Sequence, residues 1–259
     1  MPGQIDAVIV HCTSFNPVPS LAACVLNHFH MKHTTLAYTL SGMGCAASVV
    51  AIDLAQELLQ NHRNMRVLIA GTENITTMLY RGDARSHLLT NCLFRLGLVG
   101  IRIGRDVTSV ASRALNLNIR ALAPLILPWS EKLVYAGNKI ARKVFKAKIP
   151  EYTPDFKMAV DHFAMHPGGK AVIDTMEKAL ALSPEHAQPN RAAFERFGNT
   201  SSSSTWYAWS HIESFQGIKR GERLWQLAFG SGFKCNSAVW RALKTNLHRH
   251  DAWTDQCSC

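Results

Sequence analysis

Three short islands, far apart in the sequence, hold reactive side chains beside small residues. Ser41-Gly42-Met43-Gly44-Cys45 offers a thiol, and His162-Phe163-Ala164-Met165-His166-Pro167-Gly168-Gly169 offers imidazoles. Arg196-Phe197-Gly198-Asn199-Thr200, running into Ser201 to Ser204, offers a carboxamide. If the fold joins them, these groups suit covalent acyl transfer, with the thiol as nucleophile. A hydrolase would need a base to activate water. A carbon–carbon condensation needs a thioester on the thiol and an enolate held by neutral or cationic donors, and imidazole with carboxamide fits that task. A serine triad lacks its Gly-x-Ser-x-Gly elbow and its acid, so Ser201 to Ser204 read as cap and packing residues.

Each residue also has a plainer reading. Cys45 follows Gly-x-Gly and opens a helix, where unpaired backbone N–H groups favour the thiolate. The glycines would let a long substrate approach the backbone. The alternative is a buried structural cysteine, the reading kept for Cys12, Cys24 and Cys92. His166 ends an apolar strand on a sharp turn and so points into a cleft. His162, four residues earlier, faces the same side further down and reads as a supporting or structural residue. Asn199 suits either a helix cap or an oxyanion donor.

The elements that must position these groups follow from hydrophobic runs and turn residues. Residues 6–13 read as a buried strand, and Pro17 and Pro19 open a helix through Asn27. Residues 36–40 form a second strand, 45–59 a helix and 66–71 a third strand, which is an α/β signature. Another strand is expected over 98–103. The second half starts near Asp106, where residues 124–128 break one helical region and 129–145 form the next. Residues 156–163 lead into His166, and Gly168-Gly169 opens a helix through Leu180. A short helix over 190–197 and one started by Asn199 and the serines follow. Residues 224–229 and 234–240 pair as a hairpin across Gly230-Ser231-Gly232. Each half then reads as strand, chemically active turn, helix.

At 259 residues the chain can form one large domain or two smaller halves. It is 47% hydrophobic and 18% charged, with no low-complexity tract, which excludes a disordered class. The formal charge of +10 arises from scattered Lys and Arg, so nucleic acid is not indicated and a polyanionic nucleotide-phosphate ligand explains the sign equally well. The densest basic run is Lys139, Arg142, Lys143, Lys146 and Lys148 in an otherwise apolar segment. It suits a solvated helix face, an anionic membrane surface or ligand phosphates. Seven irregularly spaced cysteines point to a reducing compartment. Cys257-Ser258-Cys259 is too tight for a zinc pair, and His28, His30 and His33 lack partner ligands, so no metal is expected. No run of 18 apolar residues occurs, so no spanning helix is expected in this chain.

These islands sit within longer stretches that resemble the plant-type 3-ketoacyl-CoA synthases, the condensing enzymes of very-long-chain fatty acid elongation. The stretches are residues 14–17 (SFNP), 40–45, 51–60 (AIDLAQELLQ), 71–75 (GTENI), 89–95 (LTNCLFR) and 125–131 (LILPWSE). Residues 162–174, 196–204 (RFGNTSSSS) and 225–243 complete the set. The resemblance implies an α/β, thiolase-like fold: two related mixed-sheet halves in a layered α/β/α/β/α arrangement, incomplete here, usually as a homodimer. Residues 1–105 would be the half with the nucleophilic cysteine, and 106–259 the half with the histidine and asparagine. It implies that Cys45 takes the acyl group and that His166 and Asn199 are its catalytic partners, with His162 a further retained histidine. The substrates would be acyl-CoA and malonyl-CoA, with no cofactor. Other elongase-complex enzymes would be partners, and the full-length form would reside at the endoplasmic reticulum membrane.

The sequence departs from that pattern. The usual N-terminal membrane helices and the first part of the catalytic domain are absent, and an internal block is missing where Arg105 meets Asp106. Ala46-Ala47 follow the cysteine where Ser-Ala-Gly is usual. Two other readings follow: an inactive truncated relative that only binds or dimerises, and a soluble fatty-acid or polyketide condensing enzyme.

Overall fold

The computed structural model describes residues 2–74, 107–144, 152–230 and 234–254. The strand expected at 98–103, the 89–95 stretch with Cys92, and the Arg105–Asp106 junction lie outside the described residues. So do Lys146, Lys148, Ser231, Gly232, Cys257 and Cys259.

The first sheet has three parallel strands in the order β2-β1-β3: β1 (Ala7–His11), β2 (Leu36–Leu40) and β3 (Val67–Gly71). All five residues of β1 are buried, as a continuous apolar run in a central parallel strand requires. Val8 and Val10 face α1 (Leu21–His28), while Ile9 faces α2 (Ala47–Asn61) with Ala51 and Ala55. The period-2 alternation of side chains thus places one helix on each side of the sheet.

The second sheet runs β4-β5-β6: β4 (His162–Met165), β5 (Arg223–Gly230) and β6 (Lys234–Arg241). β4 and β5 are parallel, and β5 and β6 form the expected antiparallel hairpin. Phe163 and Met165 point into a core that includes Leu115 of α3 (Val107–Ile126) and Met176 of α5 (Lys170–Leu180). Trp225 is fully buried there, its ring 5.2 Å from Phe156 and 6.0 Å from Phe163. Each such aromatic pair contributes about 0.5–1.5 kcal/mol beyond area burial. Its indole N–H donates to Ser237 Oγ at 2.9 Å, and Ser237 donates to Asn118 Oδ1 at 2.6 Å, which ties α3 to β6. The opposite face of the sheet packs Ala164 and Leu224 against Ala193 of α6 (Pro184–Phe197) and Ala208 of α7 (Ser204–His211).

The two sheets therefore stack with helices outside and between them. α2 touches β1 and β3 on one side and β5 and β6 on the other, so it lies in the middle layer with α7. The remaining helix, α4 (Trp129–Lys143), starts directly after Pro128. One expectation needs correction. The helix expected over 190–197 starts at Pro184, where Ser183 accepts from His186 N and the proline occupies the first turn, where its missing N–H costs nothing. The break expected over 124–128 falls there: α3 ends at Ile126, two residues after Pro124, and α4 starts at Trp129.

Candidate active site

The Cys45 turn is built by two glycines with left-handed backbone, Gly42 and Gly44, both at φ 70°. Cys45 lies in a short 3-10 turn, Gly44–Ala46, that runs directly into α2. The turn is clamped from the other half. A Cβ on Gly230 would stand 2.8 Å from both Ala46 Cβ and Met43 O, so only a glycine at the end of β5 admits this approach.

The carboxamide loop meets the sulfur directly. Cys45 Sγ and Ser201 Oγ are 3.3 Å apart. Ser201 has φ 53°, rare for a residue with a side chain, and its N–H donates to Asn199 Oδ1 at 2.8 Å. Asn199 Nδ2 in turn donates to Gly168 O at 3.3 Å. Gly168 lies against the His166 ring, since a Cβ there would be 3.3 Å from Cδ2 and Nε2. Cys45, Asn199 and His166 are thus linked by contacts through Ser201 and Gly168. His166 and Asn199 are buried, while Cys45 is half-buried.

The electrostatics differ from the expectation of a thiolate. Burial pushes the Cys45 thiol up to about 11, with the hydrogen bond from Ser201 opposing it and the negative charge of Glu73 adding to it. Burial also pulls His166 down to about 4, so near neutral pH the imidazole is uncharged. The pair is a protonated thiol and a neutral imidazole. The desolvation cost of two charges here outweighs the helix-terminus stabilisation of a thiolate. His166 Nδ1 is buried with no hydrogen-bond partner, while its main-chain N–H donates to Leu227 O at 2.8 Å.

His162 is not part of this constellation. It sits at the opposite end of β4, with Nε2 3.0 Å from Glu222 Oε2. It lines a separate surface pocket with His186 and Glu185. Among the described residues no group of three or more His, Cys, Asp or Glu could hold a metal ion.

Sequence reasoning missed His11, Glu73 and Ser202. Ser202 Oγ donates to Glu73 Oε1 at 3.0 Å and lies 2.9 Å from His11 Nδ1. The serine hydrogen is committed to the carboxylate, so His11 Nδ1 carries the proton of that second bond. Glu73 also accepts from the main-chain N–H of Thr13 at 2.8 Å and of Ser14 at 3.2 Å. This network fixes the serine loop to the end of β1, one residue from the hydroxyl that touches Cys45. Its one sequence signal was a lone carboxylate just after a strand.

A family profile described as FAE1/Type III polyketide synthase-like protein matches residues 1–99 and 97–144. A second, the C-terminal part of 3-oxoacyl-[acyl-carrier-protein] synthase III, matches residues 157–242. 3-Ketoacyl-CoA synthase 5 of Arabidopsis thaliana is 42% identical over 301 aligned positions, covering 98% of this chain and 61% of the relative. 3-Ketoacyl-CoA synthase 2 of the same plant is 42% identical over 293, covering 94% and 56%. The chain therefore spans about three-fifths of the length of these curated relatives. The aligned positions outnumber the 259 residues of the chain, so the relatives carry internal residues that it lacks. Among solved structures, a fungal type III polyketide synthase, ORAS, superposes with a TM-score of 0.67 at 16% identity, covering 93% of this chain and 74% of that one. CsyB complexed with CoA-SH gives 0.64 at 16% identity, with the same coverages. The layered fold is thiolase-like, and the chain belongs to the FAE1/type III polyketide synthase-like family.

Proposed function

We propose that this chain carries the condensing site of a 3-ketoacyl-CoA synthase, with residues 1–105 and 106–259 as its two thiolase-like halves. The observation that carries the proposal is the contact path from Cys45 through Ser201, Asn199 and Gly168 to His166. Cys45 Sγ attacks the thioester of a long-chain acyl-CoA, and the departing CoA sulfur leaves with the thiol proton. Malonyl-CoA then loses CO₂. The enolate oxygen is held by N–H donors of neutral His166 and Asn199, which need no proton transfer to act. The enolate carbon attacks the acyl thioester, Cys45 leaves as a thiolate and takes a proton from water to return to the thiol, and the product is a 3-ketoacyl-CoA two carbons longer. Identity of 42% to the 3-ketoacyl-CoA synthases, against 16% to the polyketide synthases, favours the elongation reaction. Further proposals are a homodimer, other elongase enzymes as partners, and an endoplasmic reticulum location for a longer form of the protein.

The missing internal residues favour a second reading, an inactive relative that only binds or dimerises. The family match itself breaks at residues 97–99. One experiment separates the two. The chain as written and a version with the internal block restored are incubated with labelled long-chain acyl-CoA, then with malonyl-CoA. Label on Cys45 that is discharged to a ketoacyl product supports the synthase. A folded chain that never takes label at Cys45, with the block present or absent, refutes it.

A further inference from the structure

On a surface helix of a globular protein the apolar stripe faces the core and the polar side faces water. α4 is turned the other way. Its inward side is polar: Glu131 is buried, and its carboxylate accepts from Tyr152 Oη at 2.7 Å and from Asp155 N at 2.9 Å. Asn138 Oδ1, two turns on, accepts from Tyr152 N at 3.2 Å. The outward side is apolar. Trp129, Leu133, Ile140 and Val144 recur at helical spacing and are 76%, 68%, 53% and 65% exposed. Leu125, at the end of the preceding helix, is exposed as well.

Lys132, Lys139 and Lys143 line one edge of this stripe. The ammonium of Lys132 lies 4.9 Å from the Trp129 ring centroid, and that of Lys139 lies 5.9 Å from Tyr135. Both cations thus sit beside aromatic rings next to the apolar stripe, and long lysine stems of this kind can lie along apolar surface with their charges at a polar boundary. Among the described residues no helix is long and apolar enough to cross a membrane, so any lipid contact of α4 lies in the surface plane. An apolar stripe, an aromatic at one end and cations along one edge together match an interfacial helix.

We infer that α4 docks on an anionic membrane surface, with Trp129, Leu133, Ile140 and Val144 at the acyl boundary and Lys132, Lys139 and Lys143 at the lipid phosphates. Charge selects the occupant: the three lysines beside the stripe and the +10 net charge of the chain both favour an anionic lipid over a second copy of this cationic chain.

The test is flotation of the full chain with vesicles of phosphatidylcholine alone and with vesicles containing phosphatidylserine. The chain floats with the anionic vesicles and much less with the neutral ones, and added salt weakens the binding. Lys132→Gln/Lys139→Gln/Lys143→Gln lowers partitioning about 100-fold, taking the usual gain per lysine near an anionic surface. Leu133→Glu/Ile140→Glu removes binding, and since both positions are exposed the melting temperature stays unchanged. Equal binding to both vesicle types, or full binding by the glutamate variant, overturns the inference. So does a concentration-dependent dimer that the glutamate variant abolishes in the absence of any vesicle binding, since that assigns the stripe to a second copy.

Discussion

The ends of β1 and β4 repeat one device with opposite outcomes. Each strand runs buried from its sheet and terminates in a buried histidine, His11 in one half and His166 in the other. Burial lowers both to about 4, so both are neutral at neutral pH. At His11 one nitrogen is engaged. Nδ1 bonds Ser202, which is itself held by Glu73, while Nε2 is buried without a partner against Gly71, where a Cβ would stand 2.7 Å from it. At His166 no side chain of the described residues fills that role, and the ring lies against Gly168, whose carbonyl accepts from the Asn199 carboxamide. A histidine at a strand end is a structural tie when a hydroxyl held by a carboxylate takes one of its nitrogens. Both rings lie against a glycine, so the hydroxyl makes the difference.

The sharpest way to break this comparison is at the sulfur. Cys45→Ala abolishes both acyl labelling and condensation, because no other thiol of the described residues lies on the path to Asn199 and His166. Retained condensation would remove the β4 end from catalysis altogether. Next, His166→Ala or Asn199→Ala lowers malonyl-CoA decarboxylation by about 10²–10³, the usual effect of losing one oxyanion donor. Acyl loading should change less. If loading stops while decarboxylation persists, the donors serve the wrong step.

At the β1 end, Glu73→Gln should act on stability before chemistry. The amide nitrogen of glutamine would face an N–H donor, and the loss of a charge-assisted bond costs about 1.5–3 kcal/mol. A melting temperature that falls while decarboxylation per folded molecule is kept separates tie from catalyst. An Asn199-like loss of decarboxylation would merge the two ends.

Acid sharpens the comparison further. Both histidines are depressed from 6.5 to about 4 in the folded state, so the unfolded chain takes up protons first as pH falls. Their contribution to stability is complete above about 6.5 and is lost progressively as pH falls through about 4. The melting temperature should drop across that window, and His11→Phe should flatten the drop by removing one of the two groups. The smallest effect belongs to Ser201→Ala. The Ser201 hydrogen bond lowers the Cys45 value, and without it alkylation by iodoacetamide should need still more alkaline pH. An unchanged pH profile would show that the 3.3 Å contact does not tune the thiol.

The sequence made the local devices legible. A continuous apolar run specified β1, Gly-x-Gly specified the Cys45 turn, and the 36–40 strand and the helix to Leu180 fall where turn residues bound them. The helix from Pro184 was read too short because two prolines and a stretch of polar residues hide its start, although Ser183-Pro184 is itself a start signal. What the sequence could not show depends on docking. The raised thiol comes from burial between the halves, and the His11–Ser202–Glu73 network joins positions 129 and 191 residues apart. The role of Glu73 appears only when the serine loop arrives above it.

The five residues from Ser201 to Thr205 look like a disposable spacer, yet all are buried and four of their hydroxyls address different places, with Ser203 Oγ left unpartnered. Ser201 meets Cys45, Ser202 meets His11 and Glu73, Ser204 closes on Thr200, and Thr205 meets Ser48 and Gln226. Four of these links cross between the halves. Each neutral link is worth about 0.5–1.5 kcal/mol net, and the charge-assisted one to Glu73 about 1.5–3 kcal/mol. The halves also share an apolar contact, Ala46 and Val49 against Ala228. Exposure of the sulfur requires that contact and the hydroxyl seam to part together, so labelling of Cys45 reads out the docking of the halves.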